Sequence, residues 1–185
     1  MSLKPQKTSI EGVLAVDTDQ VSDSRGSFAR LFCQNELLPI LGNRQILQIN
    51  RSRTARTGAI RGIHYQLPPH AEMKLIRCLK GRVLDIAVDL RADSPTFLKW
   101  HAEELSAINC RMLVVPEGCG HGFQVLEPDS ELLYLHTSFY RPDCEGGVRF
   151  DDPLLAINWP IEPCDLSTRD QNHPLLRQNF EGIQL

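Results

Sequence analysis

What most constrains the fold of this chain is the shape of its apolar pattern. β-branched and aliphatic residues recur in short runs, cut by Gly, Pro, Asn and Asp, and helical periodicity is weak throughout. The runs predict strands over Gly12 to Val16, Phe28 to Phe32, Arg44 to Ser52, Ala59 to Gln66, Lys74 to Lys80 and Arg82 to Leu90, and again over Trp100 to Leu105, Arg111 to Val115, Gly122 to Leu126 and Leu132 to Tyr140. Many short strands with frequent turns favour a mostly β sandwich or barrel of the jelly-roll type. Helix is expected only in short pieces, over Gln34 to Leu41 and in the tail. From Leu154 onward, Pro160, Pro163 and Pro174 predict a wrapping, largely irregular segment.

At 185 residues and 42% hydrophobic content, the chain can bury a substantial core within one domain, expected to span residues 1–185 with a core near 10–160 and a wrapping segment over 161–185. The net charge of -3, with dispersed basic residues, argues against binding to nucleic acid. The first residues lack an apolar signal core, and no run reaches the length of a membrane span, so a cytoplasmic protein is expected. Cys33, Cys78, Cys110, Cys119, Cys144 and Cys164 show no paired or zinc-finger spacing and read as reduced thiols.

Alternation along the strands assigns side chains to faces. In Arg61-Gly62-Ile63-His64-Tyr65-Gln66 it groups Gly62, His64 and Gln66 on one face and Arg61, Ile63 and Tyr65 on the other. Lys74 follows ten residues after the histidine and shares its face with Ile76 and Cys78. Leu84, Ile86, Val88 and Leu90 face away from Val83, Asp85, Ala87 and Asp89. In the last strand Tyr134, His136, Ser138 and Tyr140 line a face rich in hydroxyl and imidazole groups, as a ligand cavity would need. An imidazole to take a proton and a fixed cation to hold the resulting charge suggest chemistry on carbon acids.

These residues also carry a family resemblance. Arg61-Gly-Ile-His64-Tyr-Gln66, Lys74-Leu-Ile-Arg77, Asp85-Ile-Ala-Val-Asp89-Leu-Arg91, Ser94-Pro-Thr-Phe97, Glu104-Leu-Ser-Ala107, Pro116-Glu-Gly118-Cys-Gly-His121-Gly-Phe123 and Asp151-Asp-Pro153 with Ile157-Asn-Trp-Pro160 resemble dTDP-4-dehydrorhamnose 3,5-epimerases, in order from about Arg25 to Asp170. The resemblance implies a cupin-like jelly roll with a few short helices, a homodimer, a nucleotide-sugar substrate and no metal or organic cofactor. It also implies a place in dTDP-rhamnose biosynthesis, inverting C3 and C5, or one of them, of a 4-keto-6-deoxyhexose through an enolate. Under it, His64 is the base, Asp170 its partner carboxylate, Lys74 the cation near the C4 oxygen and Tyr134 the acid on the opposite face. Arg61 and Arg25 would bind the diphosphate, Gln48 and Asn50 sugar or phosphate oxygens, and Tyr140 and Phe28 would flank the nucleobase, one from the partner subunit. His121 would sit in the site and pair with Asp85.

Each assignment has a plainer competitor. Without its neighbours His64 reads as a satisfied core histidine, Lys74 as a strand-edge lysine, Tyr134 and Tyr140 as β-propensity choices, and Asp170 as a turn or helix-cap residue. His136 and His101 are assigned to structure or surface. Pro116-x-Gly118-x-x-His121 has the spacing of a metal-cupin motif, so a metal-dependent oxygenase or isomerase using His64 and His121 is the rival function; a noncatalytic sugar-binding cupin is the third. Two departures from the family pattern stand out: Ser27-Phe28-Ala29-Arg30, where relatives carry an aromatic pair and a glutamate, and Cys119-Gly120 before His121.

Overall fold

The computed structural model describes residues 2–185. Among them the chain forms β1 (Leu3–Lys7), β2 (Leu14–Thr18), β3 (Gln20–Asp23), β4 (Gly26–Ala29), α1 (Gln34–Leu41), β5 (Gln48–Thr54), β6 (Ile60–Gln66) and β7 (Lys74–Lys80), followed by β8 (Arg82–Asp89), β9 (Trp100–Ser106), β10 (Met112–Val115), β11 (Cys119–Val125), β12 (Ser130–His136), β13 (Glu145–Gly147) and α2 (Thr168–Gln171). One sheet runs β1-β2-β10-β7-β12-β5 and the other β13-β6-β11-β8-β9. From β5 to β13 the chain changes sheet at nearly every connection, and the pairings within each sheet are antiparallel, which is the jelly-roll arrangement.

Side-chain alternation divides the apolar residues among three layers. Ile76, Cys78, Val83, Ala87, Leu113, Phe123, Val125 and Leu132 fill the space between the sheets. Their neighbours Leu75, Met112, Val114 and Leu135 point to the outer face of the six-stranded sheet, where Leu37 and Leu41 of α1 cover them. Burying these two leucines completely contributes about 1.5–3 kcal/mol each. On the outer face of the five-stranded sheet, Ile63, Ile86 and Val88 meet Val148, Leu155, Ile157 and Ile183 of the tail. Asp152, itself buried, pins that tail by accepting backbone N–H groups from Leu154 and Leu176 at 2.9 and 2.6 Å. The irregular wrapping segment expected after Leu154 is therefore the lid on one sheet.

Helix α1 and strand β7 match their predicted ranges; other boundaries move, for local reasons. Strand β12 stops at His136, short of the expected Tyr140, and the chain turns so that the Tyr140 N–H donates to Gln48 Oε1 at 3.1 Å. The strand expected over Arg44 to Ser52 begins at Gln48 and runs to Thr54, and that expected over Phe28 to Phe32 lies over Gly26–Ala29. β1, β3 and β13 have no counterpart in the reading of the apolar pattern. β1 is an exposed edge strand holding Pro5, and β13 reads Glu-Gly-Gly, so neither carries a strand-like composition.

One correction bears directly on function. Strict alternation puts Arg61 and His64 on opposite faces, yet both line one cavity, while Ile63 and Tyr65 pack outside the sheet. Opposite β11, His64 pairs with His121 and Arg61 with Phe123, so three steps along β6 span two along β11. The extra residue is a β-bulge at Gly62, which turns Arg61 inward. Only glycine fits there: its φ is +118°, and a Cβ would stand 2.5 Å from Gly122 Cα and 2.7 Å from the His121 carbonyl oxygen.

Candidate active site

A cavity of about 820 Å³ is walled on one side by β5, β7 and β12 and on the other by β6, β11 and the α2 segment. His64, Lys74, Tyr134 and Asp170 all line it, as do Asn50, Arg61, His121 and Tyr140. These eight lie far apart in the sequence, and the two sheets together with α2 bring them to one cavity.

Asp170 owes its position to a helix start. Ser167 caps α2 and accepts the Asp170 backbone N–H at 3.1 Å, which leaves the Asp170 side chain in the first turn free to reach β6. Its Oδ1 lies 2.7 Å from His64 Nε2. With the Nε2 proton donated to the carboxylate, Nδ1 is left as the free basic nitrogen. Burial by itself would raise the Asp170 carboxyl, but the hydrogen bond from His64 and its charge outweigh that and hold it below the ordinary carboxylate range.

Lys74 stands at the start of β7, nearly buried, with Nζ donating to the His64 carbonyl oxygen at 3.3 Å and lying 3.4 Å from Glu72 Oε1. Glu72 in turn accepts from His136 Nδ1 at 2.7 Å. Burial pushes the Glu72 carboxyl up, and the His136 hydrogen bond and the Lys74 charge more than reverse it, so the group sits below its usual value and carries charge. Tyr134 faces this group from β12, its hydroxyl 3.0 Å from Ser52 Oγ. Burial pushes its phenol well above the usual range, so it holds its proton. The Tyr134 ring meets the His121 ring edge-on, with centroids 6.1 Å apart. His121 is fixed from behind by Asp85, Nε2 to Oδ1 at 2.9 Å, the internal pair expected from the sequence.

The remaining predicted residues divide. Arg61 Nε donates to Thr54 Oγ1 at 3.0 Å at the cavity wall. Tyr140 stands at its edge, half exposed, its hydroxyl donating to Glu145 Oε2 at 2.9 Å. Gln48 sits at the start of β5 behind Tyr140, and Arg25 and Phe28 do not reach this cavity. They project on the β3–β4 hairpin, which pairs with neither large sheet, with 88% of the Arg25 side chain and 67% of Phe28 exposed.

Sequence reasoning missed Ser52, Thr54, Glu72, His136, Arg169 and Glu145, all cavity residues or partners of them. Alternation from Asn50 would have yielded Ser52 and Thr54, and the Tyr134 face already contained His136. His136, assigned to structure or surface, lines the cavity and is bonded to Glu72. Among the described residues, the group of three histidine and carboxylate side chains whose ligand atoms lie within 4.8 Å of one another is His64, Asp170 and His173, and His121 is not part of it.

No helix among the described residues is long and apolar enough to cross a membrane. A family model described as dTDP-4-dehydrorhamnose 3,5-epimerase matches residues 7–178. The dTDP-4-dehydrorhamnose 3,5-epimerase of Shigella flexneri is 41% identical over 167 residues, covering 90% of this chain and 92% of its own. A dTDP-4-dehydrorhamnose 3-epimerase of Streptomyces niveus is 37% identical over 179 residues, covering 96% and 85%. The crystal structure of dTDP-6-deoxy-D-glucose-3,5-epimerase from Legionella pneumophila, in complex with dTDP-4-keto-L-rhamnose, matches with a TM-score of 0.91 at 34% identity, covering 99% of this chain and 98% of that one.

Proposed function

Because the chain belongs to the dTDP-4-dehydrorhamnose 3,5-epimerase family, we propose that it inverts C3 and C5 of dTDP-4-dehydro-6-deoxyglucose, an isomerase reaction through an enolate. The observation that carries this is the convergence of a base held by a carboxylate, a cation and a protonated phenol on one cavity. His64 takes the proton from the carbon beside the ketone, and Asp170 stabilises the imidazolium that results. Charge then develops on the C4 oxygen, where the Lys74 ammonium, anchored by Glu72, stabilises it. Tyr134 returns a proton from the other face, which inverts the centre. Each cycle moves one proton from carbon to His64 and one from Tyr134 to carbon; solvent then restores both groups. Ser52, at the Tyr134 hydroxyl, shares the charge left on the phenolate.

Arg61 suits the diphosphate, since its guanidinium offers paired donors at the cavity wall. Asn50 offers an amide to the sugar or phosphate oxygens, and Tyr140 offers a ring to the base. His121 forms the cavity wall beneath Tyr134. Arg25 and Phe28 lie on an exposed hairpin, and β5 is an exposed sheet edge with Ile49 61% accessible. This supports a homodimer in which the hairpin of one subunit completes the partner's cavity; light scattering on the purified protein should give twice the chain mass. The six free cysteines fit a reducing, cytoplasmic setting.

The test is deuterium uptake by NMR in D₂O with chelator-treated protein and dTDP-4-dehydro-6-deoxyglucose, beside His64→Ala. Label at C3 and C5 with inversion, lost in the variant, is the expected result. Label at C3 alone would make the activity that named for the Streptomyces niveus relative.

A further inference from the structure

His173 has no part in the proposed reaction, yet the fold seats it beside the base. Its ring stands edge-on to that of His64, with centroids 5.4 Å apart, and its Nε2 is buried without a hydrogen-bond partner among the described residues, 3.6 Å from Asp170 Oδ1. The same Oδ1 lies 2.7 Å from His64 Nε2. On the far side Gly147 leaves room for the His173 ring, which a Cβ at that position would strike.

We propose that His64, Asp170 and His173 form a transition-metal site and that filling it switches off the base. Two imidazoles and one carboxylate are a donor set suited to zinc, cobalt or nickel, and the ligand atoms lie within 4.8 Å of one another, so small side-chain movements bring them onto one ion. Binding needs no redox step. The single N–H proton of the neutral His64 ring shifts from Nε2 to Nδ1, and the metal takes its place between Nε2 and Asp170. Nδ1 is the free base of the proposed mechanism, so the loaded site has no nitrogen left to receive the substrate proton. One charge opposes the ion: Arg169 Nη2 lies 3.2 Å from His64 Nε2. Its side chain is 52% exposed and also bonded to Glu145, so it can swing outward without leaving a buried charge unpaired.

The binding claim stands on geometry; the inhibition claim rests on the epimerase reading, and the test separates them. Chelator-treated protein is titrated with Co²⁺ and followed by visible absorption, beside His173→Ala and His173→Gln, each checked for folding by circular dichroism. The expected result is a tight one-to-one complex with wild type that both variants lose. In the deuterium-exchange assay, Zn²⁺ should stop the wild-type reaction and a chelator restore it, while the variants keep their metal-free rate and resist zinc. A wild type without a one-to-one Co²⁺ complex, or folded variants that bind the metal as tightly as wild type, would overturn the site. If Co²⁺ binds as expected but zinc arrests wild type and variants alike, the site does not govern the base and the switch is overturned. Absence of exchange in metal-free wild type would count against the epimerase reading and leave the Co²⁺ titration to decide the site.

Discussion

His64 and His121 are register partners on adjacent strands, and each is bonded through Nε2 to an aspartate, at 2.7 and 2.9 Å. The two pairs nonetheless differ in kind. Asp85 is wholly buried on β8, with Oδ2 lacking any hydrogen-bond partner among the described residues, and burial pushes its carboxyl up; His121 offsets this only in part. Asp170 arrives from a capped helix start, has Arg169 3.7 Å away as well as His64, and is held below the ordinary range. A carboxylate held in its charged form stabilises an imidazolium that forms beside it, whereas one whose charge burial disfavours chiefly fixes a ring in place. In the proposed reaction the same two residue types thus serve as the catalytic pair in one location and as a support for Tyr134 in the other, depending on burial and on neighbouring cations.

The widest separation should appear in exchange rate. His64→Ala removes the base and should lower deuterium uptake by about 10²–10⁴-fold, the usual worth of a positioned general base. His121→Ala removes only the surface on which Tyr134 rests, and a drop of about tenfold or less is expected. Equal losses in two folded variants would erase the distinction between the pairs. Next in size is Asp170→Asn. It keeps the shape but no longer favours the imidazolium, so kcat should fall by about 10²-fold or more with KM little changed. Asp85→Asn, measured in parallel, should leave kcat within a few-fold.

In stability the order reverses. His121→Ala leaves Asp85 buried with no partner for either oxygen, which should cost about 1–3 kcal/mol in urea unfolding. His64→Ala leaves Asp170 near Arg169 and His173, at 3.7 and 3.6 Å, and should cost less. If the His64 variant proves the less stable of the two, the support role assigned to His121 is wrong.

Much of this contrast was legible in the sequence, though unevenly. Strand alternation correctly grouped Lys74 with Ile76 and Cys78, and Tyr134 with His136, because regular pairing preserves period two. It failed at Arg61, since a bulge at Gly62 shifts the phase and nothing short of the pairing with β11 reveals it. The motif resemblance supplied Asp170, which no periodicity could connect to a histidine 106 residues away. His173 escaped notice because it reaches the site only through the gap at Gly147, and Glu72, weighed only as a metal carboxylate and set aside for its closeness to Lys74, carried no role in the sequence reading because its bond to His136 on β12 crosses 64 residues. The hairpin bearing Arg25 and Phe28 shows the reverse limit, where resemblance named binding residues that this chain's own cavity does not contain.

The smallest effect is also the most specific test of the comparison. An aspartate whose folded pKa is raised holds its proton more tightly in the native state, so its contribution favours folding most at low pH. That contribution is lost as pH rises from the unfolded value of about 4 through the folded one. Asp170, with its folded pKa lowered, behaves oppositely: its contribution is complete above about 4 and is lost as pH falls through the folded value. Relative to wild type, Asp85→Asn should therefore look best near neutrality and worse in acid, and Asp170→Asn worst near neutrality and better in acid. Urea midpoints taken across the acid range should give difference curves of opposite slope. Parallel slopes would mean that the two carboxylates share one environment and that the contrast between the pairs lies in the histidines alone.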